Sequence, residues 1–280
     1  MWPMCLDTIL ATKTGERYFI NKEKPLTVTE AKMRKFLGAC ILMGNLKFPR
    51  IRMYWESKYR IPSIADALTR TEFLDIYANL SATTDHDKPA NPKLFWKVDP
   101  IVQIIRENMG AQPMEEFNSI DEQMIPFHGR MPARQYIKNK PNPVGLKSYV
   151  RCGKSGIAYD FEFYEGAGTG VNYRHLGLGG SVVKRLCEKI PRHENFKVFF
   201  DNHFTGLPLL EELKSDGILA LGVIMPNRMG NPGLKTKAEL QKEGRESYDH
   251  RVEKSGDISL IRWNDNSIVN LASTFVGKFE

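Results

Sequence analysis

Apolar positions recur at helical spacing up to about residue 112 and at strand spacing beyond it. Met33, Phe36, Leu37, Cys40 and Ile41 fall on one helical face, behind Thr27-Val28-Thr29-Glu30, whose spacing is that of a capping box. Phe73, Leu74, Tyr77 and Leu80 form a second stripe. Val98, Ile101, Val102 and Ile105 form a third, which Gly110 stops. These stripes are read as core. Between the last two lies a polar loop over 83–92, rich in Asp, Asn and Pro.

Further along, Tyr159, Phe161 and Phe163 alternate with Asp160 and Glu162 as in a half-buried strand, with 145–152 as its hairpin partner. The glycine-rich run 166–180 has neither a phosphate-loop nor a dinucleotide signature and is read as a flexible connection. Ser181 is placed to cap a helix carrying Val182, Val183, Leu186 and Ile190, ended by Pro191. Residues 196–200 and 218–225 are apolar enough for buried strands. Between them 207–213 reads as a helix, with Pro208 in its first turn and Gly217 past its end. Beyond Pro226 the chain is polar and charged to Arg251, and then offers two strands, 258–263 and 267–271, around the turn Asn264-Asp265-Asn266. This succession predicts an α/β fold with a mixed sheet behind a mostly helical region.

Charge changes the picture more than composition does. The segment 123–159 has no Asp or Glu and contains Arg130, Arg134, Lys138, Lys140, Lys147, Arg151 and Lys154, so it accounts for the whole net charge of +7. One basic segment on a neutral body points to a polyanion partner, nucleic acid first; a solvated basic loop is the other reading. The four cysteines are scattered without a C-x-x-C pair, which suggests neither zinc nor a disulfide framework and fits a reducing compartment. No apolar run approaches the roughly 18 residues of a membrane span, and the first residues lack a secretory pattern. The histidines lack zinc-hydrolase spacing, no serine sits in a G-x-S-x-G elbow, and no small-molecule cofactor is expected.

Two aspartates stand out by position. Asp121 lies inside an expected strand, and Asp201 directly follows the apolar strand ending at Phe200. Functional groups of open α/β sheets gather at such strand ends. A carboxylate there is desolvated unless it is paired or binds a cation. If the two strands are neighbours, both carboxylates could ligate magnesium through hard oxygens. Alternatively Asp121 caps a turn or pairs with an arginine, and Asp201 caps the following helix; spacing leaves both open.

The run Ile120-Asp121-Glu122-Gln123-Met124-Ile125-Pro126-Phe127-His128-Gly129-Arg130, continued by Tyr136-Ile137-Lys138-Asn139-Lys140-Pro141 and Gly145-Leu146-Lys147, resembles the first acidic block of piggyBac transposases and their domesticated relatives. Phe200-Asp201-Asn202-His203-Phe204-Thr205-Gly206-Leu207-Pro208-Leu209 is similar to their second block. Asn227-Arg228, Arg262-Trp263-Asn264-Asp265-Asn266 and Ser273 follow in the family's order, and Phe36-Leu37-Gly38, Met43-Gly44, Tyr54-Trp55 and Phe73 match its helical region.

The resemblance implies an RNase H-like domain that cuts and joins DNA with magnesium, or manganese in its place. Its first two catalytic, metal-binding aspartates fall on Asp121 and Asp201. It implies three parts: a helical region over 1–112 of the dimerisation or DNA-binding type, a catalytic-type domain over 113–226 and part of a β-rich insertion domain over 227–280. Arg130, Arg134, Lys138, Lys140, Lys147 and Arg151 would face DNA. The family's third catalytic aspartate has no counterpart; Asp249, Asp257 and Asp265 lack its context, and Val223 and Met225 stand where the family tends to carry Thr and Arg. The expectation is therefore a nuclear, transposase-derived DNA-binding protein not competent for catalysis as this chain, with a homodimer allowed. An active magnesium-dependent transposase, or a fragment of one, and a protein-interaction scaffold are the alternatives.

Overall fold

Residues 5–169, 171–253 and 257–276 are described by the structure, a computed structural model. The chain divides into two units, Met1–Glu107 and Asn108–Glu280.

The first unit is helical: α1 (Leu6–Lys22), α2 (Glu30–Leu46), α3 (Pro62–Ala65), α4 (Arg70–Asn79) and the start of α5 (Asp99–Gly110). The cap of α2 is Thr29 rather than Thr27, and its side chain accepts from the Lys32 amide at 3.2 Å. Thr69 and Glu72 form a reciprocal capping box on α4. Met33 and Phe36 of α2 and Phe73 and Ile76 of α4 are fully buried around Tyr54 and Ile64. The Phe36 and Phe73 rings lie 4.9 Å apart, within the range of favourable aromatic pairs. The expected stripes are rotated at their ends. Ile41 is 68% exposed and Tyr77 56%, while Ile76, outside the predicted stripe, lies one turn from Phe73 and takes the core position. The polar loop holds a short 3-10 turn, Asp85–Asp87.

The second unit is built on strands β1 (Phe117–Pro126), β2 (Arg134–Tyr136), β3 (Val144–Gly153) and β4 (Ala158–Phe163). Then come α6 (Gly177–Leu186), β5 (Lys197–Phe200), α7 (Leu207–Ser215), β6 (Leu219–Val223), α8 (Lys237–Glu243), β7 (Tyr248–Val252), β8 (Ser259–Asn264) and β9 (Ile268–Ser273). One mixed sheet runs β2-β3-β1-β5-β6-β9-β8-β7, with β4 also on β3. β1, β5 and β6 are parallel, and β3 and β4 antiparallel, so the β4-β3-β1-β5-β6 part has the RNase H-like arrangement. The chain leaves β6 and returns as β9 antiparallel to it, which joins the β7-β8-β9 meander to the same sheet.

The core lies between this sheet and two helices. Val182, Val183 and Leu186 of α6 and Leu209, Leu210 and Leu213 of α7 are buried against Ile120, Val198 and Ala220. Each such Val, Leu or Ile side chain contributes about 1.5–3 kcal/mol relative to full exposure. The glycine-rich run, read as a flexible connection, forms 3-10 turns over Gly166–Gly168 and Val171–Leu176 and then opens α6 at Gly177, while Gly170 lies outside the described residues. Ser181 is inside that helix, and its hydroxyl donates back to the Gly177 carbonyl at 2.6 Å rather than capping. The charged stretch after Pro226 contains α8, opened by a Thr236–Glu239 capping box. The expected hairpin at 264–266 is present as β8-β9. The four cysteines are free, and among the described residues no helix is long and apolar enough to cross a membrane.

Candidate functional site

β1 and β5 pair in parallel from Phe117 opposite Lys197 to Ile120 opposite Phe200. Asp121, within β1, and Asp201, just past the end of β5, are the next residues in each segment, so the register itself sets them side by side where the β1–β5 pairing ends. Past Ile120 the β5 side of β1 is unpaired, and there Glu122 joins them. One carboxylate oxygen from each of Asp121, Glu122 and Asp201 lies within 4.8 Å of the others. Strand alternation sends neighbouring side chains to opposite faces, so spacing alone selects Asp121 and passes over Glu122.

Backbone donors orient two of the carboxylates. Asp121 Oδ1 accepts from the Glu122 amide at 2.7 Å, and Asp201 Oδ1 from the His203 amide at 2.8 Å. Burial, with the adjacent Glu122 charge, raises the Asp121 carboxyl above its ordinary value. Burial also acts to raise Glu122, but the Lys140 ammonium, 3.0 Å from Glu122 Oε1, leaves it below its ordinary value. The same ion pair raises Lys140. Lys147 is lowered by burial; its Nζ sits 4.8 Å from the centroid of the Tyr149 ring.

The turn after Asp201 is fixed from several sides. The Thr205 hydroxyl donates to the Asp201 carbonyl at 2.7 Å. Arg228 Nη1 donates to the carbonyls of Asn202, His203 and Thr205 at 3.1, 3.1 and 3.0 Å. Gly179 of α6 packs so closely that a Cβ there would stand 2.5 Å from the His203 carbonyl oxygen. Phe204 is buried and meets Tyr149 edge-on at 5.8 Å, tying the turn to β3.

The basic residues divide into groups. Beyond Ile120, β1 continues with β3 and β2 as a three-stranded arm, and Arg130, Arg134 and Lys138 are exposed on it. Arg134 Nη1 also donates to the Gly129 carbonyl at 3.1 Å. Lys140 and Lys147 lie in the field of all three carboxylates. Arg151 does not belong with them. It is fully buried, donates to Asn118 Oδ1 at 2.9 Å and lies over the Tyr159 ring at 5.4 Å. Its placement among DNA-facing residues is therefore corrected: it shares the helix-covered face of β3 with Tyr149. There it faces Asp160, whose carboxylate Arg185 of α6 also reaches at 3.1 Å.

Three carboxylates without His or Cys are a hard-oxygen donor set suited to Mg2+ or Mn2+ and ill suited to zinc. Opposite ligands of Mg2+ stand roughly 4.2 Å apart, twice a metal–oxygen distance of about 2.1 Å, so small side-chain movements would close the cluster on one ion. Asp121, Glu122 and Asp201 are the residues that would hold it.

A family model described as Transposase IS4 matches residues 9–279. Human PiggyBac transposable element-derived protein 3 is 30% identical over 275 residues, covering 96% of this chain and 46% of that protein. Human PiggyBac transposable element-derived protein 2 is 34% identical over 272 residues, covering 93% and 45%. The chain thus spans a little under half the length of these relatives. A piggyBac transposase, solved by cryo-EM as a synaptic complex with hairpin DNA, shares its fold with a TM-score of 0.83 at 19% identity, over 98% of this chain and 59% of that one. The acidic blocks around Asp121 and Asp201 therefore sit in the fold expected of them, and the chain belongs to the piggyBac-type transposase family.

Proposed function

We propose that this chain is a transposase-derived protein that binds DNA through its phosphates, in the nucleus. The observation that carries the reading is the acidic cluster where β1 runs past the end of β5, flanked by Lys140 and Lys147 and by the arm bearing Arg130, Arg134 and Lys138. A divalent cation in the cluster would supply positive charge to phosphate oxygens and polarise them. The basic side chains would position the backbone without reading its sequence. The hairpin DNA held by the structurally similar transposase supports DNA as the polyanion.

The test is the salt dependence of binding to a labelled duplex, followed by fluorescence anisotropy. Affinity should fall steeply between about 50 and 200 mM salt. Joint neutralisation of Arg130, Arg134 and Lys138 should weaken binding on every sequence and reduce the slope by about 3, near one unit per lost phosphate contact. Absence of binding at low salt would overturn the reading and favour a protein-interaction scaffold. Glu122 favours a second reading, cation-dependent DNA cleavage, because it adds a third carboxylate to the two aspartates. Magnesium-dependent nicking that Asp121→Asn abolishes would establish it; a folded chain that nicks nothing would rule it out.

A further inference from the structure

The mixed sheet ends at β7. Among the described residues β7 pairs with β8 alone, and no strand lies on its other side. Its ladder fixes which backbone groups face that side. The Glu253 amide donates to the Ile258 carbonyl and the Asn264 amide to the Ser247 carbonyl, each at 2.9 Å. Backbone bonding alternates along an antiparallel strand, so Asp249 and Arg251 also face β8, while the N–H and C=O of Tyr248, His250 and Val252 turn outward.

Native edges are commonly guarded by a lysine, a proline or a bulge. β7 has no Lys or Pro, and its register to β8 runs without a shift. Its two charged side chains are drawn to the helix-covered face. Asp249 accepts from the Lys235 amide at 2.8 Å and keeps only 12% of its side-chain surface exposed. Arg251 donates to Asp249 Oδ1 and the His250 carbonyl, both at 2.7 Å, and to the Gly233 carbonyl at 3.2 Å. The opposite face carries Tyr248 and Val252, both exposed, and Trp263 of β8 beside Tyr248.

The edge is complementary to itself. A second copy laid antiparallel on β7, with the two-fold axis at His250, brings Tyr248 opposite Val252 of that copy. Asp249 meets its Arg251, and Arg251 its Asp249. The outward backbone groups fall in the same register, so amides meet carbonyls across the axis. Aromatic-on-β-branched and opposite-charge pairs stabilise such a ladder, and like charges directly opposite destabilise it. Arg251 exchanges the His250 carbonyl of its own strand for the facing aspartate and leaves that carbonyl to the second copy's amide. The β4 edge is the contrast: two copies centred on Phe161 would set Asp160 against Glu162.

We propose that β7 is the seam of a two-fold homodimer, in which two copies join antiparallel, edge to edge, about His250 and one sheet runs through both. Such an interface uses the same patch on each copy and closes at two, because pairing consumes the edge.

The test is sedimentation velocity of the full chain from roughly 1 to roughly 100 µM, with circular dichroism to verify the fold of each variant. The wild type should form a reversible dimer. Tyr248→Pro removes one outward donor at the first residue of the strand, where proline is tolerated, and should raise the dimer Kd at least about tenfold. Arg251→Glu leaves two acids on each strand and Asp249→Lys two bases, so each should be monomeric alone. Mixed in equal amounts they should form a heterodimer, since every acid then faces a base. A wild type that stays monomeric, or a dimer indifferent to Tyr248→Pro and Arg251→Glu, would overturn the proposal. So would a mixture of the two folded charge variants no better paired than its parts, or growth past the dimer.

Discussion

Arg228 holds the carbonyl of His203 at 3.1 Å, and the same nitrogen serves the carbonyls on either side of the turn, at Asn202 and Thr205. Three carbonyls of one turn thus converge on a single guanidinium. With the Thr205 hydroxyl on the Asp201 carbonyl, this sets where the Asp201 carboxylate stands.

Arg228→Ala should therefore loosen the turn without unfolding the sheet. Amide hydrogen exchange at 202–205 should speed up, and divalent cation affinity should fall about tenfold, the effect expected when a group that orients a ligand is removed. Unchanged exchange and Mn2+ affinity would show that the turn is held by its packing alone.

Gly179→Ala should be worse than its small volume suggests. The added methyl would meet the His203 carbonyl, a backbone atom, and α6 would have to move away from the turn. A loss of about 1–3 kcal/mol is expected from such overpacking, read as a lower urea midpoint. Gly38→Ala is the control, because an added Cβ there meets nothing within 4 Å; it should be neutral or slightly stabilising.

Arg151→Met separates the buried arginine from the exposed ones. DNA affinity and its salt slope should stay at wild-type values. Stability should drop by about 1–3 kcal/mol because Asn118 Oδ1 loses its buried donor. A reduced salt slope would return Arg151 to the DNA-facing set.

Acid should weaken the helical unit in a defined window. Lys32 and the Thr69 cap hold Glu72 down to about 2, and the Thr84 amide and Lys13 hold Asp87 down to about 2. Carboxyls depressed in the folded state add stability that is complete above their ordinary values, 4.5 and 3.8, and is lost as pH falls toward 2. Thermal melts of Glu72→Gln should lie below wild type at neutral pH and converge on it near the bottom of that window. Both side chains are about one-third exposed, so solvent screening keeps the effect modest.

Legibility in the sequence followed how local the cause was. The β3-β4 and β8-β9 hairpins were readable because alternation and turn residues lie within a few positions. Asp201 was readable from the apolar run that ends at it. The start of α6 was not, because glycines argue against helix; Gly177–Gly180 is helical since Gly179 must let α6 approach the turn after Asp201, a contact no local pattern records. α8 was hidden by its charge, although Thr236 and Glu239 carried the capping-box spacing. Arg151 shares strand parity with Tyr149, and that signal, used in preference to net charge, would have placed it inside. Glu122 had no such signal, since its approach to Asp121 depends on where β5 stops.

The parallel pairing of Ile120 with Phe200 also has a kinetic side. It joins segments about eighty residues apart, and long-range parallel pairing is slow because loop closure comes before most of its reward. The carboxylates converge only after that pairing is made. A cation bound by all three should thus be a late ligand, one that slows unfolding and leaves the folding rate unchanged.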